Sequence, residues 1–306
     1  MPRTYYGPFS ARNETYANAG NANLGRYPLG HYLLTPDGRE YRFTLNDGTA
    51  EVAGNLYQSV ATVGNHSNVA ADAARAIGAV AVSATLGATA AAIDIYAEGT
   101  VSVTDATGEG YSYRIKRATS AGAAHAAADS SGVLTVNLDA DESVQVALVA
   151  ATSEVSFSRH RNHAALIHAS PPTAALVGVS PGVAAASRFY WSQVKGLAAV
   201  LGDGTLLDGL PVQASIAVNG AVESAKRRAR SGGTTVIGVV PTVMSYLRLL
   251  DQDGTTTDFL VPATVTTAVT ASYDITGPIA VNAPLVGTCR NARADTEYSI
   301  IELSIN

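Results

Sequence analysis

Apolar and polar residues alternate along much of this chain with a period of two. In Glu40–Leu45 the residues Tyr41, Phe43 and Leu45 fall on one side and Arg42 and Thr44 on the other, the arrangement of a half-buried strand. Pro36-Asp37-Gly38 before it and Asn46-Asp47-Gly48 after it are turn sequences, so Gly30–Leu34 and Glu40–Leu45 predict paired strands. Val52–Tyr57 leads into a third strand or an irregular edge. Ser67–Ile77 is Ala-rich, carries Asp72 and Arg75, and ends at Gly78; it predicts one short helix. Val80–Leu86, Ile93–Thr104 and Tyr111–Ile115 predict further strands. Leu134, Val136 and Leu138 share a face, as do Val144, Val146 and Leu148, and Val155 with Phe157 closes the set. The Ala-rich stretch 118–131 is a long loop.

Arg159–Ala174, which ends at Pro171-Pro172, reads as a linker. Beyond it, Phe189–Ser215 predicts a β-meander: an aromatic-led strand, a turn at Asp203-Gly204, a second apolar segment, Asp208-Gly209-Leu210-Pro211 and a third strand. Ala263–Tyr273 and Glu297–Ile305 predict later strands, with Ile301, Leu303 and Ile305 alternating with polar partners. Residues 1–27 show no period. Tyr5, Tyr6, Tyr16 and Tyr27 favour an extended arm that orders on a partner over a disordered terminus. The fold class is therefore mainly β: antiparallel β-barrel or β-sandwich units, an extended N-terminal arm and at most one or two short helices. The expected boundaries are an arm over 1–27, a first β domain over 28–158, a linker over 159–174 and a second β domain over 175–306.

Composition narrows the function. Hydrophobic residues make up 47% of the 306, much of that alanine, and charged residues only 15%, against roughly 25% in an average domain. So few charges leave a surface of Ala, Ser, Thr, Gly and Asn, suited to burial against neighbours. The net charge of -5 argues against coating nucleic acid directly. Lys116, Lys195 and Lys226 are the only lysines; the preference for Arg suits interfaces, although biased base composition explains it equally well. Cys289 is single, which excludes an intramolecular disulfide. The N-terminus lacks the apolar core of a signal peptide, and the apolar runs are too broken for a membrane span, so synthesis in the cytoplasm without membrane insertion is expected.

Candidate chemistry is sparse. Gly178-Val179-Ser180-Pro181-Gly182 fits the G-x-S-x-G pattern, but a nucleophile elbow needs a strand before it and a helix after it; the residues that follow predict a turn. His160, His163 and His168 could ligate a metal, but no Asp or Glu lies between them and Arg159 and Arg161 would repel a cation. An exposed or interface loop is the simpler reading, a pH-sensitive contact the other. Lys226-Arg227-Arg228-Ala229-Arg230 is the only basic cluster. It sits beside Ser231-Gly232-Gly233 and reads as a solvated loop, as a clamp onto an acidic neighbour or, least simply, as a nucleic-acid contact. Asp251-Gln252-Asp253-Gly254 starts like a calcium loop but lacks the twelfth ligand. No phosphate loop, cofactor site or catalytic constellation is expected.

The run Tyr190–Val200 with Asp203-Gly204-Thr205 and Asp208-Gly209 resembles the C-terminal unit of tailed-bacteriophage capsid decoration proteins (cement, or head-stabilising, proteins) of marine and cyanophage type. Glu40–Tyr57, Tyr96-Ala97-Glu98-Gly99 and Gly108–Lys116 look like the same family, and Val286–Ile305 like its closing hairpin. Residues 241–285 do not match and look like an insertion. The resemblance covers about 40–290 with gaps, and its motifs are structural. It implies a non-enzymatic, cofactor-free, mainly-β virion protein. Such a protein is usually a homotrimer on the outer capsid surface, where its partner is the major capsid protein. The contact residues then expected are Tyr5, Tyr6 and Tyr16 of the arm and Arg227, Arg228 and Arg230 of the basic loop, with Tyr190 and Trp191 in the core or a trimer seam. A tail-fibre, spike or other receptor- or glycan-binding β module is the alternative. A glycoside-cleaving enzyme would need two carboxylates facing across a cleft.

Overall fold

The computed structural model describes residues 27–118, 124–225, 245–250, 256–261 and 283–305. Strands β1 (Tyr32–Leu34) and β2 (Glu40–Leu45) form the hairpin turned by Pro36-Asp37-Gly38, and β3 (Leu56–Gln58) follows. Next come β4 (Val69–Ala70), β5 (Ala81–Thr85), β6 (Thr100–Asp105), β7 (Ser112–Arg114), β8 (Val133–Asn137) and β9 (Glu154–Ser158). Then follow β10 (Leu166–Ile167), β11 (Leu176–Val179), β12 (Phe189–Leu201), β13 (Pro211–Ala214) and β14 (Val222–Ser224). The chain continues with β15 (Ser245–Leu250), β16 (Thr256–Val261), β17 (Leu285–Asn291) and β18 (Tyr298–Ser304). Among the described residues the only helical turn is a 3-10 turn at Gly64–His66, and no helix is long and apolar enough to cross a membrane. The protein is mainly β, and its antiparallel sheets curl like half a barrel.

Strand β12 organises the largest sheet. It is 13 residues long, and its two halves serve different partners. The first half pairs with β2, placing Trp191 opposite Phe43; the second pairs with β18, placing Ala199 opposite Ile300. Gln193 sits opposite Val179 of β11. The sheet runs β10-β3-β11-β12-β18-β17-β13-β14, with β2 and β1 branching from β12. The apolar face of β2 explains one end of it. Phe43 stacks on Phe189 at 5.2 Å and meets Trp191 edge-on at 5.1 Å, and Tyr27 packs on Trp191 at 5.5 Å. Burying each such side chain contributes roughly 1.5–3 kcal/mol. At the other end Val200, Val212, Val286, Ile301 and Leu303 close a second apolar cluster.

Residues 69–158 build a separate layer. β4-β9-β6-β7 form one sheet and β5-β8 a two-stranded ribbon. Between them lies a core drawn from this stretch alone, including Val82, Leu134, Val136, Val155 and Phe157.

Several expectations need correction. Within the unit that holds the chain up to Ala225 together with Ala283–Asn306, β2 and β3 pair into the sheet of β11 and β12 and not with the strands of 69–158. Alternation predicts that a segment is a strand but not which distant strand it meets. The second unit runs over Lys226–Asn282, wider at its start than the expected insertion. Its described part is an antiparallel pair, β15 with β16, with Leu250 opposite Thr256. The Asp251–Gly254 turn and the strand expected over Ala263–Tyr273 lie outside the described residues.

The helix expected over Ser67–Ile77 is absent. Ala71 N–H bonds Ser153 O at 2.8 Å, and Arg75 and Leu148 exchange two backbone bonds of 3.0 and 2.8 Å. Alanine favours helix, but a short helix without an apolar face gains little from packing, and the neighbouring edges claim its backbone groups instead. The strand expected over Ile93–Thr104 starts only at Thr100, because Asp94 and Glu98 adopt left-handed φ values of 56° and 62°. Val144 and Leu148 are buried as expected of a shared face, but from an irregular segment.

Candidate functional site

The stretch expected to be a linker is built into the fold. Asn162 O accepts from Leu45 N at 2.9 Å, and Ala165 N donates to Leu45 O at 2.9 Å. Asn162 Nδ2 donates to Thr44 Oγ1 at 2.8 Å. Thr44 is therefore buried rather than exposed, and Arg42 alone of that pair reaches solvent. Farther along, β10 pairs with β3.

This anchoring holds Arg159-His160-Arg161 against the sheet, where Arg161 lines three cavities of about 400, 210 and 580 Å³. The first is the most polar and is the candidate site. Its rim carries Arg42, Arg161, Lys195, Glu40, His160 and Asn162; its floor is Val177, Val194 and Ile305. Strand register assembles the rim. Lys195 lies opposite Glu40 across β12 and β2, and Lys195 Nζ donates to Glu40 Oε1 at 2.9 Å. Arg42 and Arg161 make no ion pair with a carboxylate among the described residues. Both guanidinium groups are nonetheless held. Arg42 Nη1 donates to Gly30 O at 3.2 Å while its Cζ lies 5.0 Å above the Tyr32 ring. Arg161 Nε donates to Leu176 O at 2.8 Å, and its Nη2 reaches the same oxygen.

The electrostatics follow from that placement. Burial, and then the charge of Arg42, lower the Arg161 guanidinium below its ordinary range. Burial, followed by the charges of Arg114 and Arg161, lowers His160 to about 4, so its ring is neutral at pH 7. His160 Nδ1 accepts from Asn162 N at 3.1 Å. Among its described residues the rim thus sets three cations against one carboxylate. Gly30 completes the wall: its φ is +71°, and a β-carbon there would fall 2.8 Å from His160 Cε1.

A second constellation lies under the G-x-S-x-G loop. Ser180 follows β11 in a turn, is buried, and donates to Gly182 O at 2.7 Å. Glu51 is buried beneath it, and neither carboxyl oxygen meets a donor at hydrogen-bonding geometry. Burial raises its pKa to about 8; the nearby hydroxyls of Tyr190 and Ser180 offset this in part, and Asp47 adds to it. Burial, then the Glu51 charge, raises Tyr57 and Tyr190 as well.

The other expected residues are placed as follows. Tyr190 and Trp191 are both 3% exposed and pack inside the chain. His163 and His168 are buried, and His168 Nδ1 accepts from Gly220 N at 2.6 Å. Burial lowers both rings, His163 to about 3. Among the described residues no three His, Cys, Asp or Glu side chains are gathered to hold a metal. Tyr5, Tyr6, Tyr16, Arg227, Arg228 and Arg230 lie outside the described residues. Sequence reasoning noted Arg159, His160 and Arg161 but missed Arg42, Glu40, Lys195 and Glu51 as members of sites. No family model, curated protein or solved structure matches the chain.

Proposed function

We propose that this is a structural protein of a tailed-phage virion that binds the outside of the capsid and stabilises the lattice of the major capsid protein. The observation that carries the reading is an open apolar face on the main sheet. Leu197, Tyr298 and Ile300 are 54%, 45% and 42% exposed. Ala199 lies opposite Ile300 and Leu201 opposite Tyr298, so these four share one face across β12 and β18, and Leu197 extends it beside Glu302. Such a patch on a chain with few charges suits burial against a neighbour. The resemblance of Tyr190–Val200, Glu40–Tyr57 and Val286–Ile305 to decoration proteins supports the same role. Standard interfaces bury about 1,200–2,000 Å², and repetition over a symmetric shell multiplies weak single contacts. In this reading the protein is a homotrimer without catalytic activity.

The test compares shells with and without the protein on heating. Decorated shells are expected to melt higher, and deletion of residues 1–27 to lower their occupancy. Equal melting, or failure of purified protein to bind naked shells, refutes the role. The polar cleft favours a second reading, a receptor-binding module of the tail. Labelling at the tail instead of the head selects that one.

A further inference from the structure

We infer that the cleft between Arg42, Arg161 and Lys195 is a docking site for a protein segment in which an acidic side chain lies beside an aliphatic one. In its assignment of that segment to the shell the inference rests on the capsid reading above; the chemistry of the site does not. Four observations carry it. The rim presents three cations, and Glu40, the single carboxylate among its described residues, is already engaged by Lys195. The two guanidinium groups without a carboxylate partner are anchored by backbone carbonyls, Gly30 O and Leu176 O, so their positions are set before anything binds. Groups held in this way lose little freedom on binding and recognise a planar carboxylate by geometry as well as charge. Three cations gathered in a concave site with one carboxylate among them leave an excess of positive charge, which an arriving anion relieves.

The floor decides between kinds of anion. Val177, Val194 and Ile305 are aliphatic, and among the described residues no Phe, Tyr or Trp lines the cavity. Acidic saccharides are commonly held through a stacked aromatic face, which this site lacks. An aliphatic side chain next to a carboxylate matches both floor and rim, and the volume of about 400 Å³ admits two or three side chains. His160, neutral at pH 7, supplies hydrogen bonding without further charge.

The experiment uses the full chain with ¹³C-methyl valine and follows the Val177 and Val194 signals by NMR. The probe is a short, end-capped peptide alternating glutamate and valine, added to about 20 mM at low salt, a range that covers millimolar affinity. Both signals are expected to shift in a saturable way. Binding is expected to weaken at least about fivefold with Arg42→Gln, and similarly when glutamine replaces glutamate in the peptide. Arg42 is exposed on β2, so that variant keeps the fold; an unchanged remainder of the spectrum verifies this. No shift at the two valines, or equal affinity of the neutral peptide or the variant, overturns the inference. Shifts with glucuronate but not with the peptide overturn the assignment to a protein segment. No shells enter the titration, so its failure and a failure of shell binding are separate results.

Discussion

Glu51→Gln tests the buried carboxyl most directly. Glu51 is 2% exposed, and burial raises its pKa from 4.5 to about 8. The folded chain therefore keeps its proton over a range in which the unfolded chain has lost it. The stability this gives is complete below pH 4.5 and is lost as pH rises toward 8. Each pH unit between those values removes about 1.4 kcal/mol. Glutamine has nearly the same shape and does not titrate. Its advantage over glutamate, beyond a constant offset, is about 1 kcal/mol at pH 5 and about 3 kcal/mol at pH 7. The buried histidines act in the opposite direction. His160 and His163 are lowered to about 4 and 3, so their stability is present above about pH 6.5 and is lost as pH falls below it. The parent protein should thus be most stable near pH 6.5. The histidine contribution cancels in the difference between variant and parent. The assay is urea unfolding at pH 5, 6, 7 and 8, followed by the fluorescence of Trp191, the only tryptophan. The stability gap is expected to widen by about 3 kcal/mol from pH 5 to pH 8. A gap constant within about 0.5 kcal/mol would mean that Glu51 titrates normally, and refute the reasoning.

Two further outcomes follow from the fold. Gly178 has a φ of +150°, and a β-carbon there would lie 2.3 Å from Ser192 Oγ and 2.6 Å from Gln193 O. Gly178→Ala should destabilise by about 3 kcal/mol, whereas Gly204→Ala, with open space around it, should cost about 1 kcal/mol from backbone strain; equal denaturation midpoints would show that the close approach is relieved. Replacing Lys226–Asn282 with a short Gly/Ser linker should leave a cooperative unfolding transition. Ala225 and Pro284 bond opposite ends of β13, at Pro211 O and Ala214 N, so a few residues span the gap. A broad or missing transition by circular dichroism would show that the main sheet depends on the excised unit.

Local patterning was legible where a strand has one wet face. Leu134 and Val136 of β8, Val155 and Phe157 of β9, and Ile301 and Leu303 of β18 all turn their apolar sides inward. It misled where backbone pairing overrode propensity, as in the Ala-rich Ser67–Ile77. It was silent where the decisive partner lies far along the chain. Nothing near Glu40 announces Lys195, and nothing near Thr44 announces Asn162; strand register joins the first pair and a side-chain hydrogen bond the second. Glu51 looked like one more surface carboxylate in a turn-rich stretch, because burial beneath the loop at Ser180 leaves no local signature. The Arg159-His160-Arg161 run was visible, yet the adjoining prolines suggested a tether instead of a wall of the cleft.

Strand β12 also sets an order of events during synthesis. Its first half must find β2, which the ribosome has already released, while its second half waits for β18, which emerges near the end. The layer over 69–158 has its own core and can close long before that. The main sheet cannot, because the edge of Ala198–Leu201 has no strand partner until Tyr298–Ile301 has left the exit tunnel. Such widely separated pairing slows folding. During translation the backbone edge of that half-strand stays without its strand partner, and the time needed to translate Lys226–Asn282 lengthens the wait.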